Sequence, residues 1–408
     1  MSLQTALSGL LGAQTGLNTV SNDLANASTT AFKSQTALFE DVYPSGASNV
    51  PGIGTATEGI SADFTQGDLT ATGNPLDAAI QGNGYFVISN NGTQQYTRDG
   101  SFQLNSSGEM VTSTGAALLG YPATATGGVG STLAPISINT GAIPANATSN
   151  LGLTLDLNSG DATIPAATPF NAANPSTYSE TTSVTTYDSL GNANTVQLYF
   201  VQNPAATAGA TPTWTVYAQP QNAAGTAVGT PQTLTTLGFS TSGALSSGSP
   251  ATLNVNWGNG SAASAIAFNL TGTTLGAQDF AVAGITNDGY APGSYSGTTI
   301  SASGQIQSTY TNGQTVSAGT LGLANFLNQE GLQPVTGNIF AASPTSGQPV
   351  INTPGNGLAG KLSGGNLEAS NASTSSLLVS LIQYQQAYQA NASVIQTEQQ
   401  DSTRLTQI

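Results

Sequence analysis

The sequence predicts a mainly β protein with terminal α-helices. It reads as two nested β domains of the antiparallel sandwich or flattened-barrel type, plus a helical terminal domain formed by both chain ends. Three observations predict this. Apolar residues recur at heptad spacing only near the two termini. The 300 or so residues between them alternate apolar and polar over short runs broken by Gly, Asn, Asp and Pro. The texture of residues 69–146 returns after residue 290, as though the chain runs out through a second domain and comes back.

The first helix is expected over residues 2–28. Leu3, Leu10, Leu17 and Leu24 stand seven apart, and Ala6, Ala13, Val20 and Ala27 fill the other half of the repeat. The second helix is expected over 371–407, with Leu377, Leu381, Tyr384, Tyr388 and Ile395 as its apolar line and Asn391 interrupting it. Residues 1–22 and 369–397 carry no charge. A solvent-facing flank normally holds Glu and Lys, so these flanks suit faces covered by protein. Gly9, Gly12 and Gly16 each cost roughly 1 kcal/mol relative to Ala within a helix. The first helix is therefore expected to order only when docked. Residues 1–30 and 370–408 are assigned to one terminal coiled-coil assembly domain.

Residues 31–68 read as a connector, with Phe32, Lys33 and Phe39 as its motif and 44–68 extended or poorly ordered. Residues 69–146 are β, with a strand around Tyr85–Ile88 and turn signals at Asn91-Gly92 and Asp99-Gly100. A Gly/Ala/Thr/Pro-rich stretch over 122–150 marks a boundary. An outer β domain is expected over 147–289. Its strands place Val196, Leu198 and Phe200 on one face, and likewise Trp214, Val216 and Ala218; Leu253, Val255 and Trp257; Ile266, Phe268 and Leu270. Residues 290–369 complete the inner domain, with a short helix expected over 321–329.

Composition excludes whole classes of function. Only 6% of the 408 residues are charged, and four basic against nineteen acidic residues give a net charge of −15. Nucleic acid and anionic membranes need clustered cations, so neither is an expected partner. No run approaches ~20 apolar residues, and no basic, apolar leader opens the chain. The chain has no Cys and no His, which removes disulfides, thiol nucleophiles and imidazole bases. No Asp/Asn cluster has calcium-loop spacing, and the glycine-rich 127–132 stretch lacks the lysine of a phosphate loop. No enzyme, cofactor or metal is expected. Asp188-Ser189-Leu190-Gly191-Asn192 reads as a turn before a strand.

Five stretches carry a family resemblance. LSGLLGAQTGLNTVSNDLANASTTAFK (7–33) and LEASNASTSSLLVSLIQYQQAYQANASVIQT (367–397) resemble the paired terminal signatures of bacterial flagellar rod, hook and hook-associated axial proteins. GNGYFVISNNGTQQYTRDGSFQLNSSGEMVTSTGAALLGY (82–121) is similar to the first β domain of the hook and distal-rod members. TYDSLGNANTVQLYF (186–200) resembles the element that marks the hook members, and 320–349 fits them as well. Where the family usually has Gly before Phe-Lys, this chain has Ala31, and Asn371-Ala372-Ser373 replaces the usual Asn-Val-Asp.

The resemblance implies a structural subunit of the flagellar hook, the flexible tubular joint that carries torque from rod to filament. It implies export without a cleaved signal peptide through the flagellar type III apparatus, and an extracellular place in the flagellum. It also implies a helical homopolymer that meets rod proteins, a hook cap and hook–filament junction proteins. The assembly residues would be those of the two helical lines. A distal rod protein shares the ends and the first domain, but the 151–289 insertion argues against it. A secreted adhesin or surface-layer protein would explain the composition but not the paired ends.

Overall fold

The computed structural model describes residues 2–43, 52–124, 128–207 and 211–405. Parts of both expected connectors, 44–51 and 125–127, lie outside the described residues. The chain divides into two compact units: residues 1–140, 296–309 and 315–408 in the first, 141–295 and 310–314 in the second.

The first unit contains both helices, α1 (Ser2–Ala25) and α2 (Thr374–Leu405). Within the region expected to be an extended or poorly ordered connector, residues 54–62 form a strand. Strand β1 (Gln35–Val42) pairs antiparallel with β2 (Gly54–Ala62), with a bulge at Leu38/Phe39. Sequence pattern missed β2 because GTATEGISA lacks apolar alternation; only its pairing and its contact with α1 make it a strand.

The body of this unit is a large sheet. Its main path runs Tyr295–Ile300, Gln305–Tyr310, Thr315–Leu321, Ala117–Pro122, Tyr85–Asn90, Thr93–Thr97, Ile339–Ala341, Gln333–Val335. Asn91 and Gly92 both have positive φ (51° and 83°) and close the two-residue turn between Asn90 and Thr93, as Asn-Gly does in tight hairpins. The helix expected over 321–329 is absent. Leu323–Asn325 is a strand pairing with Tyr85–Phe86 and with Val350–Asn352, and only Gln329–Gly331 makes a 3-10 turn. Residues 321–326 are buried on both faces. A strand covered on both faces shows an unbroken apolar run, which periodicity cannot tell from a buried helix. Tyr85, Tyr96, Phe326 and Phe340 pack edge-to-face in the core here.

Two short ladders bring the outgoing and returning chain together. Leu69–Ala71 pairs with Asn366–Glu368, and Ala78–Gln81 pairs with Lys361–Gly364. They set the roots of the two helices side by side.

The second unit is a sandwich of two five-stranded sheets. One runs Glu180–Tyr187, Ala193–Gln202, Trp214–Gln221, Gln232–Phe239, Leu245–Ser247, all antiparallel. The other centres on Asn150–Asn158, which pairs parallel with Ser264–Asn269 and Thr274–Gly276 and antiparallel with Ala281–Asn287. The second sheet is therefore mixed rather than wholly antiparallel, and neither closes into a barrel among the described residues. The alternating residues read from the sequence, Val196 through Leu270, all face the shared core, with Leu151, Leu153, Leu155 and Leu157 between them.

Candidate assembly site: the paired terminal helices and their root

Helices α1 and α2 pack against each other, and α1 also packs on the β1–β2 hairpin. The pairing is antiparallel and its register can be read from two contacts. Gly16 faces the Tyr384 ring, and Gly9 faces the Asn391 side chain, where a Cβ on Gly9 would lie 2.9 Å from Oδ1. Seven residues down α1 correspond to seven residues up α2. By that register Ser2 stands level with Glu398, and the remainder of α2, carrying Arg404, runs past the start of α1.

The glycines that looked like weak points in the helix are points of contact. A Cβ on Gly16 would overlap the Tyr384 ring, and Gly12 sits against Phe39 and Thr55 of the hairpin. Removing Cβ lets helix and ring approach closely, which offsets the propensity cost. Asn391 therefore has a place opposite Gly9, although it interrupts the apolar line.

The structure brings Ala6, Ala13 and Val20 into the buried side of α1, together with Gly12, Gly16, Thr19 and Asp23. Leu10, Leu17 and Leu24 are half-buried, and Leu3 is 46% exposed. The inner line is thus the alanine–glycine line, and the leucines flank it. On α2, Leu377, Leu381, Tyr384, Tyr388 and Ile395 are half-buried. Beyond these lines an apolar surface remains open: Leu3, Leu7 and Leu11 on α1, and Leu378, Val379, Ile382 and Val394 on α2. Of the connector motif, Phe32 and Lys33 are buried, whereas Phe39 is 37% exposed with its ring edge on Gly12.

Below the helices lies a buried ion cluster that connects chain segments far apart in sequence. Glu368 is fully buried. Its Oε1 accepts from Lys33 Nζ at 2.6 Å and from the Gly67 amide at 3.0 Å, and its Oε2 accepts from Arg98 Nε at 2.7 Å. Lys33 Nζ also donates to the Thr65 carbonyl at 2.6 Å, and Arg98 donates to the carbonyls of Ile80, Gly82 and Gly84. Half of the chain's four cations converge on one carboxylate. Burial lowers the Lys33 pKa, while the bond to Glu368 works in the opposite direction.

Neighbouring bonds fix both helix roots. The Ala31 amide donates to the Glu368 carbonyl at 2.8 Å. Asn371 Oδ1 accepts from the Ser34 amide at 2.7 Å, and its Nδ2 donates to the Asp63 carbonyl at 2.8 Å. Asp23, fully buried at the end of α1, accepts from the Gln35 amide at 2.9 Å; its other oxygen, Oδ1, has no partner, and burial pushes its carboxyl above the usual range. Ala31 adopts φ 57°, the left-handed region, at the turn after α1.

Sequence reasoning found Lys33 but not Arg98, Glu368 or Asp23. One signal was available: a chain with so few cations that buries two of them must supply an anion nearby. Glu368 is the second residue of the C-terminal signature.

Residues 79–164 match the flagellar hook protein FlgE/F/G D1 domain, 154–290 the flagellar basal body protein FlaE D2 domain, and 363–408 the flagellar basal body rod FlgEFG protein C-terminal region. The chain is 38% identical to the flagellar hook protein FlgE of Salmonella typhimurium, over 98% of each chain. It is 37% identical to that of Escherichia coli, again over 98% of each. It also shares its fold with the crystal structure of Helicobacter pylori flagellar hook protein FlgE2, with a TM-score of 0.57 at 15% identity, over 74% of this chain and 99% of that one. Full-length identity at this level, with the three domain matches in order, shows that the chain belongs to the flagellar hook protein family and has the structural role of a hook subunit.

Proposed function

We propose that this subunit polymerises through its terminal helices, copies of α1 and α2 covering one another's open apolar faces in a helical tube. The observation that carries this is the uncovered line of Leu3, Leu7, Leu11, Leu378, Val379, Ile382 and Val394 on two helices with almost no charge. Burying an aliphatic side chain completely contributes about 1.5–3 kcal/mol. These are near half exposed, so each adds about 1 kcal/mol when a neighbour covers it. A repeated, non-closing contact of this kind generates a helical polymer.

The partners follow from the family: rod proteins below, a cap during growth, junction proteins above, and the flagellar type III apparatus for export to the extracellular flagellum without signal-peptide cleavage. Bending of the joint draws on weak contacts between the β-rich parts of neighbouring subunits. Absence of cysteine suits passage of an unfolded chain into an oxidising space.

Leu7→Asp and Val379→Asp test the reading. Both positions are exposed, so the monomer keeps its fold, while a charge enters every repeat of the tube. Electron microscopy is expected to show tubes from the parent protein and none from either variant under the same conditions. Tubes of normal length from both variants would overturn the proposal.

A further inference from the structure

The second unit leaves one sheet edge unfinished. Strand Ala281–Asn287 pairs with Asn150–Asn158 in a register that sets Ile285 opposite Leu153 and Val282 opposite Leu155. Paired residues share a face, so Ile285 and Val282 lie on the side that carries those leucines into the core. Yet Ile285 is 49% exposed and Val282 37%, and every residue of the strand is exposed. Across the sandwich, edge strand Glu180–Tyr187 pairs only with Ala193–Gln202 among the described residues. Asn287 Nδ2 donates to the Thr185 carbonyl at 2.8 Å, but no backbone ladder joins the two edges. Edges that stay alone are usually guarded by charge or proline; AVAGITN holds neither.

The surroundings are anionic. Asp279 precedes the open strand, Glu180 begins the facing strand, and Asp161 follows the central one. Burial pushes the carboxyls of Asp161 and Glu180 above their usual range, and the charge of Asp279 pushes both further. Asp161 Oδ2 is enclosed without a hydrogen-bond partner. By contrast, Asp288 at the other end accepts bonds from Ser149 and Asn150 and is satisfied. Residues 141–295 hold six acidic residues and no Lys or Arg.

We propose that the Ala281–Asn287 edge receives an extended basic segment of another protein as an added β-strand, its apolar side chains covering Ile285 and Val282 and its cations meeting Asp279, Glu180 and Asp161. Strand addition supplies main-chain hydrogen bonds, and the alternate side chains supply the selection. Charge complementarity decides between occupants. The same face of a second copy brings the same acidic end, in a unit with no Lys or Arg over 141–295, whereas a Lys-rich strand brings the missing sign.

Fluorescence polarisation of the full-length protein with a labelled octapeptide of alternating Lys and Val tests this. Saturable binding that weakens with added salt is expected, and the same peptide with Glu in place of Lys should not bind. Glu180→Gln with Asp279→Asn relieves repulsion within the fold, so it should not unfold the protein, but it should weaken binding by roughly five-fold or more. N-methylating alternate residues of the peptide separates strand addition from simple charge attraction. One methylation phase should abolish binding and the other spare it. Equal binding by both phases, equal binding by the acidic peptide, or no saturable binding would overturn the proposal. So would self-association of the protein that Ile285→Arg abolishes, because the edge would then serve a second copy.

Discussion

Replacing Glu368 with glutamine should open the first unit and leave the second untouched. Glutamine keeps the shape and one acceptor oxygen, but it removes the anion bonded to both Lys33 and Arg98. Its amide N–H2 also faces a donor where an acceptor stood. Removing one partner of a buried ion pair costs about 3–5 kcal/mol. Two pairs share this carboxylate, so their costs do not simply add. Lys33, whose pKa burial already lowers, can shed its proton; Arg98 cannot. The lower end, about 3 kcal/mol, is the expected loss, which is about two powers of ten in an opening equilibrium. Native-state hydrogen exchange reads this directly. Amides of 65–67 and 80–84 should exchange about a hundred-fold faster in Glu368→Gln. Trp214 and Trp257 both lie in the second unit, so tryptophan emission during unfolding should hardly change. Unaltered protection at 65–67 and 80–84 would refute the reasoning that this carboxylate holds the helix roots.

Other outcomes follow from the same geometry. Gly16→Ala would stabilise a free helix by about 1 kcal/mol, but the Tyr384 ring occupies the space; faster hydrogen exchange along α2 is expected, reflecting a loss of about 1–3 kcal/mol. Ala31 sits at φ 57° with its methyl buried, so Ala31→Gly should be neutral or slightly stabilising, and Ala31→Val should lower stability by at least about 2 kcal/mol in thermal melts. Asp23→Asn gives the unpaired Oδ1 position a neutral group. Because burial raises the Asp23 pKa, its contribution is most favourable at acid pH and declines as pH rises through the folded pKa, so the advantage of Asp23→Asn should grow from about pH 4 upward. Asp188 and Asp288 behave oppositely. Burial would raise them, but bonds from Asn192 and Asn259 to Asp188, and from Ser149 and Asn150 to Asp288, hold both below the usual range. Their stabilisation is present above the unfolded carboxylate pKa and lost as pH falls through the folded values. Tryptophan emission should therefore report acid unfolding of the second unit, and Asp188→Asn should flatten that dependence.

Much of the fold was legible where one rule decides the outcome. Alternation placed the strands of Val196, Trp214, Leu253 and Ile266 in the second unit, because each sends alternate side chains into the core. Asn91-Gly92 announced its turn, because two positive φ angles tolerate few other residues. The terminal helices showed in their spacing, and the heptad included Ala6, Ala13 and Val20, which are buried. It gave equal place to Leu3 and Leu10, which lie outside the close line, and read Gly9 and Gly16 of that line only as a cost. A contact made by the absence of a side chain leaves no hydrophobic signal. Glu368 was illegible for another reason: its partners are 335 and 270 residues away, and only the fold brings them together. The pairing of 35–42 with 54–62 and the strand at Leu323–Asn325 were lost because pairing, not propensity, decides them.

The central claim, that the two terminal helices are the assembly elements, has one direct test. The full chain and a version containing only residues 29–372, which retains Lys33, Glu368 and Asn371, would be concentrated side by side. Sedimentation and electron microscopy would then be applied to both. Tubes from the full chain alone, with the shortened protein a folded β-rich monomer, are the predicted result. Tubes formed equally well by the shortened protein would contradict it.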